Sequence, residues 1–350
     1  MSAHAFELPA DIVTARDGIL AFADKEILPR HADHRDFFEN PRAMYDEDGR
    51  FSPRLQALIQ EVRQLSAEAG FYQMCVPEKL GGGGMGHLAY YAAWQALFHR
   101  CGPQNWLMLY ALAHWAFGPS KLLEQVTQEA LEKVMPGLLS GTESMCFGLS
   151  EPNAGSDASM IKTKATRDGD GWRINGRKIW TTNAPIADYC VIFAVTDSTL
   201  AEQKKGGITA FIAPTDSPGF TVQRIIKLFG HVGGDEAELA FDDLYVEPWQ
   251  VVGELNKGFE AALYGVSLGR IYNSARAVGY GRWAIELALS YAKTREAFGS
   301  NIASYQGVSF PLAESATKLH AAHLMGINAA TLLDQGQPAI KELSMTKAYS

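Results

Sequence analysis

Cysteine is scarce in this chain, four residues in 350, and Cys75, Cys101, Cys146 and Cys190 lie far apart with no CxxC pair. No histidine stands at metal-ligand spacing, so neither a disulfide framework nor a metal site is indicated and reduced thiols are expected. An excess of positive charge is also missing. With 31 basic residues against 39 acidic ones the net charge is −8, and nothing is available to neutralise a phosphate backbone, so nucleic acid is not an expected partner. Long apolar runs are absent too. The longest, residues 106–117, is interrupted by His114 and falls short of the roughly 20 residues a bilayer span needs; it predicts a buried helix and no membrane insertion. The N-terminus lacks a basic segment followed by an apolar core, and its acidic residues argue against a transit peptide. A cytoplasmic location is expected.

What the chain does have is a globular composition, 47% hydrophobic and 20% charged, over a length sufficient for two or three domains. From 52 to 70 the helix signal is strong. Ser52 suits an N-cap, Pro53 the first helical position, and Leu55, Leu58, Ile59, Val62 and Leu65 make one apolar stripe that Gly70 ends. Similar spacing over 12–28 and 122–139 predicts an N-terminal α-helical domain, residues 1–141. After Gly141 short β-rich runs at 189–195, 208–213, 220–226 and 238–246 alternate with Gly, Pro and Asp turns, which predicts a middle β-barrel or sandwich domain at 142–252. Within it, Asn175-Gly176 between two apolar runs predicts a tight hairpin. Helical periodicity returns over 259–295 and 306–333, broken near Gly299, and predicts a C-terminal helical bundle at 253–350. A further helix begins near Ala339 and reaches Ser350 without a stop signal, so this domain is expected to be incomplete. The fold class expected is α+β.

The glycines at 81–84 lack the Gly-Lys-Ser/Thr ending of a phosphate loop and read as a loop between helices. More specific is the run Phe147-Gly148-Leu149-Ser150-Glu151-Pro152-Asn153-Ala154-Gly155-Ser156-Asp157, with Trp180-Thr181-Thr182-Asn183 further on. It offers free backbone N–H groups, short hydroxyls, and glycines such as Gly155 that let a large planar ligand approach the main chain.

These motifs, with Val76-Pro77-Glu78-Lys79-Leu80-Gly81-Gly82, Gly176-Arg177-Lys178, Gly258-Phe259 and Arg295-Glu296-Ala297-Phe298-Gly299 followed by Gln306, resemble the acyl-CoA dehydrogenase family through essentially the whole chain. The resemblance implies FAD as cofactor. It places Phe147, Leu149 and Ser150 at the flavin pyrimidine edge, with the Ser150 hydroxyl and amide near N1 and O2. It places Trp180 over a flavin face and Thr182 at N5 and O4, with Thr181 between them. Gly155 and Ser156 would approach the FAD pyrophosphate or the CoA arm, while Arg295, Phe298 and Gln306 would reach FAD in a neighbouring subunit of a homodimer or homotetramer.

The reaction implied is α,β-dehydrogenation of an acyl-CoA substrate, with electron-transfer flavoprotein or a similar acceptor taking the electrons. It needs a carboxylate base at the α-carbon. In most of the family the base is a Glu in a segment that would follow Ser350; a minority place it just before an Arg, where this chain has Gly269 and Arg270. The base is therefore expected beyond Ser350, and Arg270 is the candidate for orienting substrate. Val232 and Gly234 replace an Arg and a Ser common near the CoA arm, and Phe229-Gly230-His231 is unusual. A flavin oxidase or monooxygenase on the same fold, and a catalytically silent partner subunit, are the alternatives.

Overall fold

The stripe Leu55, Leu58, Ile59 and Val62 becomes the buried face of a helix over Pro53–Glu68, with Ser52 Oγ accepting from Leu55 N at its start. The computed structural model describes residues 7–230 and 232–350. In chain order its helices are α1 (Ala10–Phe22), α2 (Leu28–Asp33), α3 (Arg35–Phe38), α4 (Pro53–Glu68), α5 (Gly86–Cys101), α6 (Gln128–Ser140), α7 (Ser198–Glu202), α8 (Gly258–Thr294), α9 (Gln306–Asp334) and α10 (Ile340–Tyr349). The strands are β1 (Met145–Gly148), β2 (Lys164–Asp168), β3 (Gly171–Thr182), β4 (Tyr189–Val195), β5 (Ile208–Pro214), β6 (Phe220–Ile225), β7 (Glu236–Val246), β8 (Val251–Val252), β9 (Glu296–Ala297) and β10 (Ser300–Asn301). The order helices, then strands, then helices is the one expected. The chain forms two compact units: the described residues up to His31 with Met85–Ala111 and Ser267–Ser350, and Ala32–Gly84 with Leu112–Val266.

The second unit is built on one eight-stranded sheet in the order β6-β7-β3-β2-β4-β5-β8, with β1 parallel to β4. Successive side chains of a strand point to opposite faces. Val191 and Phe193 of β4 thus join Leu138, Met145 and Ile212 in one core, while Ile192 and Ala194 join Ile174, Phe211 and Leu239 in another. Both faces are buried, which is why 189–195 reads as a continuous apolar run.

Three local expectations are corrected. Asn175-Gly176 is not a hairpin turn but a bulge within β3, between Ile174 and Gly176 in the pairing with β7. Asn175 exchanges hydrogen bonds with Asp243, giving one from Nδ2 to Asp243 Oδ1 and taking one from Asp243 N at 2.9 Å each, so a long-range partner overrides the local turn preference. Residues 106–117 are buried as expected but helical only as a 3-10 turn over Trp106–Tyr110. Their backbone is satisfied from elsewhere: Leu107 N donates to His31 Nε2 at 3.2 Å and Ala113 N to Tyr72 O at 2.8 Å. The expected helix 122–139 is split, because Val126 bridges to Val252 in extended conformation and Thr127 then caps α6, accepting from Ala130 N.

In the first unit, Trp94 and Phe98 of α5 pack on Tyr272 of α8, with ring centroids 5.0 and 5.7 Å away. The start of α5 has no side-chain cap of its own. Asp334, the last residue of α9, supplies one: its carboxylate accepts from His87 N at 2.7 Å, Leu88 N at 2.9 Å and the His87 ring at 2.8 Å. Burial works to raise the Asp334 carboxyl, but these bonds outweigh it and hold it below its ordinary value. A group depressed in the native state stabilises above its unfolded pKa and loses that contribution as pH falls through the native value. Asp334→Ala is therefore expected to cost about 1–2 kcal/mol, the usual range for a lost cap, in urea titrations at neutral pH. The gap to wild type should close in acid, below the ordinary Asp range; a gap that persists unchanged there contradicts the capping role.

Candidate functional site

The residues singled out in the sequence fall into two groups, one in each unit. In the second unit β1 runs parallel to β4 and delivers Phe147 against Phe193 (4.9 Å between ring centroids) and Trp115 (5.3 Å). Leu149 and Ser150 follow, half-buried. The chain then turns tightly, Glu151 and Ala154 exchanging two backbone hydrogen bonds of 3.0 Å, and emerges at Gly155 and Ser156, both exposed.

This loop is joined to β3 by Ile179 N, which donates to Ser150 O at 2.9 Å. Between Lys178 and Thr181 the β3–β7 register shifts, and Trp180 sits at φ +62°, a residue 54% exposed. Bulges re-aim side chains, and this one turns a large aromatic outward at a conformation few non-glycine residues adopt. Thr182 is half-buried; Thr181 is buried, and its hydroxyl has no hydrogen-bond partner among the described residues. Asn183, at φ +68° and buried, ends the strand by donating from Nδ2 to Met145 O (2.9 Å) and Ser144 Oγ (3.2 Å).

Beneath both segments lies a buried pair that the sequence reading did not single out. Lys178, fully buried, and Glu151 form an ion pair at 2.8 Å. Lys178 Nζ also donates to Leu149 O at 3.1 Å, and Glu151 accepts from Lys162 N at 2.6 Å and Thr163 N at 2.9 Å. Burial works to raise the Glu151 carboxyl, yet the Lys178 ammonium and the hydrogen bonds outweigh it and hold it low. Burial pushes Lys178 down to about 8 against the pull of Glu151. A sequence signal existed: Lys178 occupies an inward position of an alternating strand, where a charge needs a partner.

In the first unit Arg295 and Phe298 flank and cap the β9–β10 hairpin, and Gln306 opens α9; all three are exposed. Phe298 (φ +52°) and Gly299 (φ +79°) form the two-residue turn. Both positions being left-handed suits such a hairpin, although a non-glycine residue there costs roughly 1–2 kcal/mol. Phe298 is 98% exposed, so little burial within the chain offsets that cost. Tyr305 braces the turn, its hydroxyl donating to Ala297 O (2.8 Å) and Phe298 O (3.3 Å). Ile302 N donates to Arg295 O at 2.9 Å, fixing the backbone that carries the guanidinium. Arg270 is half-buried on α8 after the buried Gly269. Val232 is exposed and Gly234 N donates to Gly49 O at 3.0 Å, while His231 lies outside the described residues.

The donor set fits a flavin: an outward indole, adjoining threonine hydroxyls of which Thr181's is unsatisfied, and Ser150 clasped to the same strand. No cluster of metal-ligating side chains occurs among the described residues, and no helix among them is long and apolar enough to cross a membrane.

Family models match nearly the whole chain: acyl-CoA dehydrogenase, N-terminal domain, over residues 10–142; middle domain over 146–244; and C-terminal domain over 256–350. The probable acyl-CoA dehydrogenase YngJ of Bacillus subtilis (strain 168) is 35% identical over 345 residues, 99% of this chain and 85% of that protein. The caffeyl-CoA reductase-Etf complex subunit CarC of Acetobacterium woodii is 34% identical over 329 residues, 94% of this chain and 81% of that protein. The structure of butyryl-CoA dehydrogenase from Megasphaera elsdenii has a TM-score of 0.81 and 29% identity, covering 99% of this chain and 85% of that one.

Proposed function

Because the chain belongs to the acyl-CoA dehydrogenase family, we propose that it dehydrogenates an acyl-CoA thioester between the α and β carbons, with FAD as cofactor. The observation that carries this reading is the clasp between the two candidate flavin segments, Ile179 N to Ser150 O and Lys178 to Glu151. It brings Ser150 next to the bulge that turns Trp180 outward. When bound, FAD supplies the acceptor for the β-hydride at N5 and passes the electrons on.

The chain's own residues do the positioning. Trp180 covers a ring face, Thr182 donates at N5 and O4, and Phe147, Leu149 and Ser150 line the pyrimidine edge, where preorganised donors stabilise developing negative charge. Thr181 adjoins them, and Gly155 and Ser156 face the pyrophosphate or the CoA arm. Arg270 orients the substrate. Arg295, Phe298 and Gln306 reach FAD held by a second copy of the chain, which makes a homodimer or homotetramer the working unit; the outward Phe298 on its strained turn supports this. Electron-transfer flavoprotein or a similar protein is the proposed acceptor, supported by the naming of CarC as part of an Etf complex. The three domains are assigned to 1–141, 142–252 and 253–350. A cytoplasmic location belongs to the same proposal, the four cysteines lying far apart in the sequence with no CxxC pair.

Anaerobic mixing of the yellow holoenzyme with a panel of acyl-CoA thioesters tests this. Bleaching of the flavin by at least one thioester, with slow return of colour in air, is expected. Fast return in air points instead to an oxidase or monooxygenase, and no bleaching by any thioester to a silent subunit. Colourless protein that cannot be reconstituted with FAD sinks the flavin reading itself. Thr182→Val should slow flavin reduction about tenfold to a hundredfold, the equivalent of one charge-assisted hydrogen bond, with a smaller change in FAD affinity. Equal losses in stopped-flow rate and in affinity contradict the assigned role.

A further inference from the structure

Leu149 C=O and Ser150 N–H are the two ends of one peptide unit. Lys178 Nζ donates to the first at 3.1 Å, and the second is the amide proposed above for the N1 and O2 edge of the flavin. Resting on that flavin reading, we propose that Lys178 is a positioning residue that makes the flavin easier to reduce, acting through the Leu149–Ser150 peptide, and that Glu151 opposes it.

A cation on the carbonyl draws electron density out of the peptide and strengthens the N–H at its far end, the cooperative effect of chained hydrogen bonds. The ammonium is fully buried, so water does not screen its field. Glu151 lies one residue beyond Ser150 and carries the opposite charge, which Lys162 N and Thr163 N partly compensate. Ser150 O, on the next peptide unit, accepts from Ile179 N at 2.9 Å, which anchors the residue that carries the polarised amide. Stability alone does not explain the pair, since buried ion pairs gain little over well-packed apolar residues of similar volume. Reduction adds negative charge to the ring, so each member of the pair acts on it with its own sign.

The test uses the FAD-loaded wild type and the variants Lys178→Met, Glu151→Gln and the double, each equilibrated with redox dyes of known potential and no thioester present. Lys178→Met should shift the reduction equilibrium toward oxidised flavin at least about tenfold, about 30 mV for a two-electron couple. Glu151→Gln should shift it the other way, and the double variant should return toward wild type. A merely structural role moves both single variants in one direction or leaves the potential unmoved, and either result overturns the proposal. If Lys178→Met does not retain FAD, the near-isosteric Glu151→Gln decides alone and is titrated across pH, because losing the anion that favours the ammonium also eases loss of its proton: at the acid end the potential should lie above wild type, and a potential equal to or below wild type at every pH refutes the proposal. Wild-type protein that takes up no FAD overturns this together with the flavin reading, whereas flavin that dyes reduce but thioesters do not removes only the dehydrogenase reading.

Discussion

Replacing Asn183 by alanine is expected to lower the unfolding free energy by about 3–4 kcal/mol, because two buried hydrogen bonds are lost at roughly 1 kcal/mol each and alanine is strained in the left-handed region by about 1–2 kcal/mol. The side chain is buried, and Nδ2 donates to Met145 O and Ser144 Oγ at 2.9 and 3.2 Å. Its backbone is at φ +68°. Asn183→Gly separates the terms, since glycine accepts the conformation but forms neither bond. It should recover about 1 kcal/mol of the loss in urea unfolding of the apoprotein. Asn183 also ties the end of β3 to β1, so both variants should loosen Thr182 and release FAD faster. A change in stability below about 0.5 kcal/mol, the size of an ordinary surface substitution, contradicts the anchoring role.

The second large effect concerns the exposed hairpin. Arg295→Ala should weaken FAD binding about tenfold to a hundredfold, the loss expected for charge-assisted bonds to a diphosphate. Because Arg295 is proposed to serve the FAD of another copy, the defect should be complemented. Arg295→Ala chains mixed with chains damaged at Ser150 and Thr182 should recover part of the binding, since one site of a hybrid pair then keeps both halves intact. Calorimetry of FAD on the separate and mixed proteins checks it. A wild-type monomer by light scattering that still holds FAD tightly overturns the shared site.

Much of the fold was legible because its signals are local. Ser52, Pro53 and the stripe from Leu55 to Val62 specify α4 within one stretch of chain, and the alternation of Gly and Pro turns with apolar runs specifies β4 and β5. The candidate flavin segments were legible as motifs, by resemblance rather than by periodicity. What the sequence misread were places where a distant group supplies the bonds. Asn175-Gly176 carries a good turn signal, yet Asp243, 68 residues away, holds it in a bulge. Residues 106–117 are apolar enough for a helix, but His31 and Tyr72 take their N–H groups.

The sequence by itself determined most of the helices and strands, the family, and the candidate flavin motifs, since propensity, capping and motif spacing act between near neighbours. Only the tertiary structure decided that Lys178 and Glu151, 27 residues apart, meet under the candidate flavin loop, that Asp334 caps a helix 247 residues away, and that Trp180 and Phe298 stand outward on strained backbone. Burial is the physical reason. A charge or an N–H removed from water must find a partner wherever the packed chain places one, and that place is set by the whole fold rather than by the neighbouring residues.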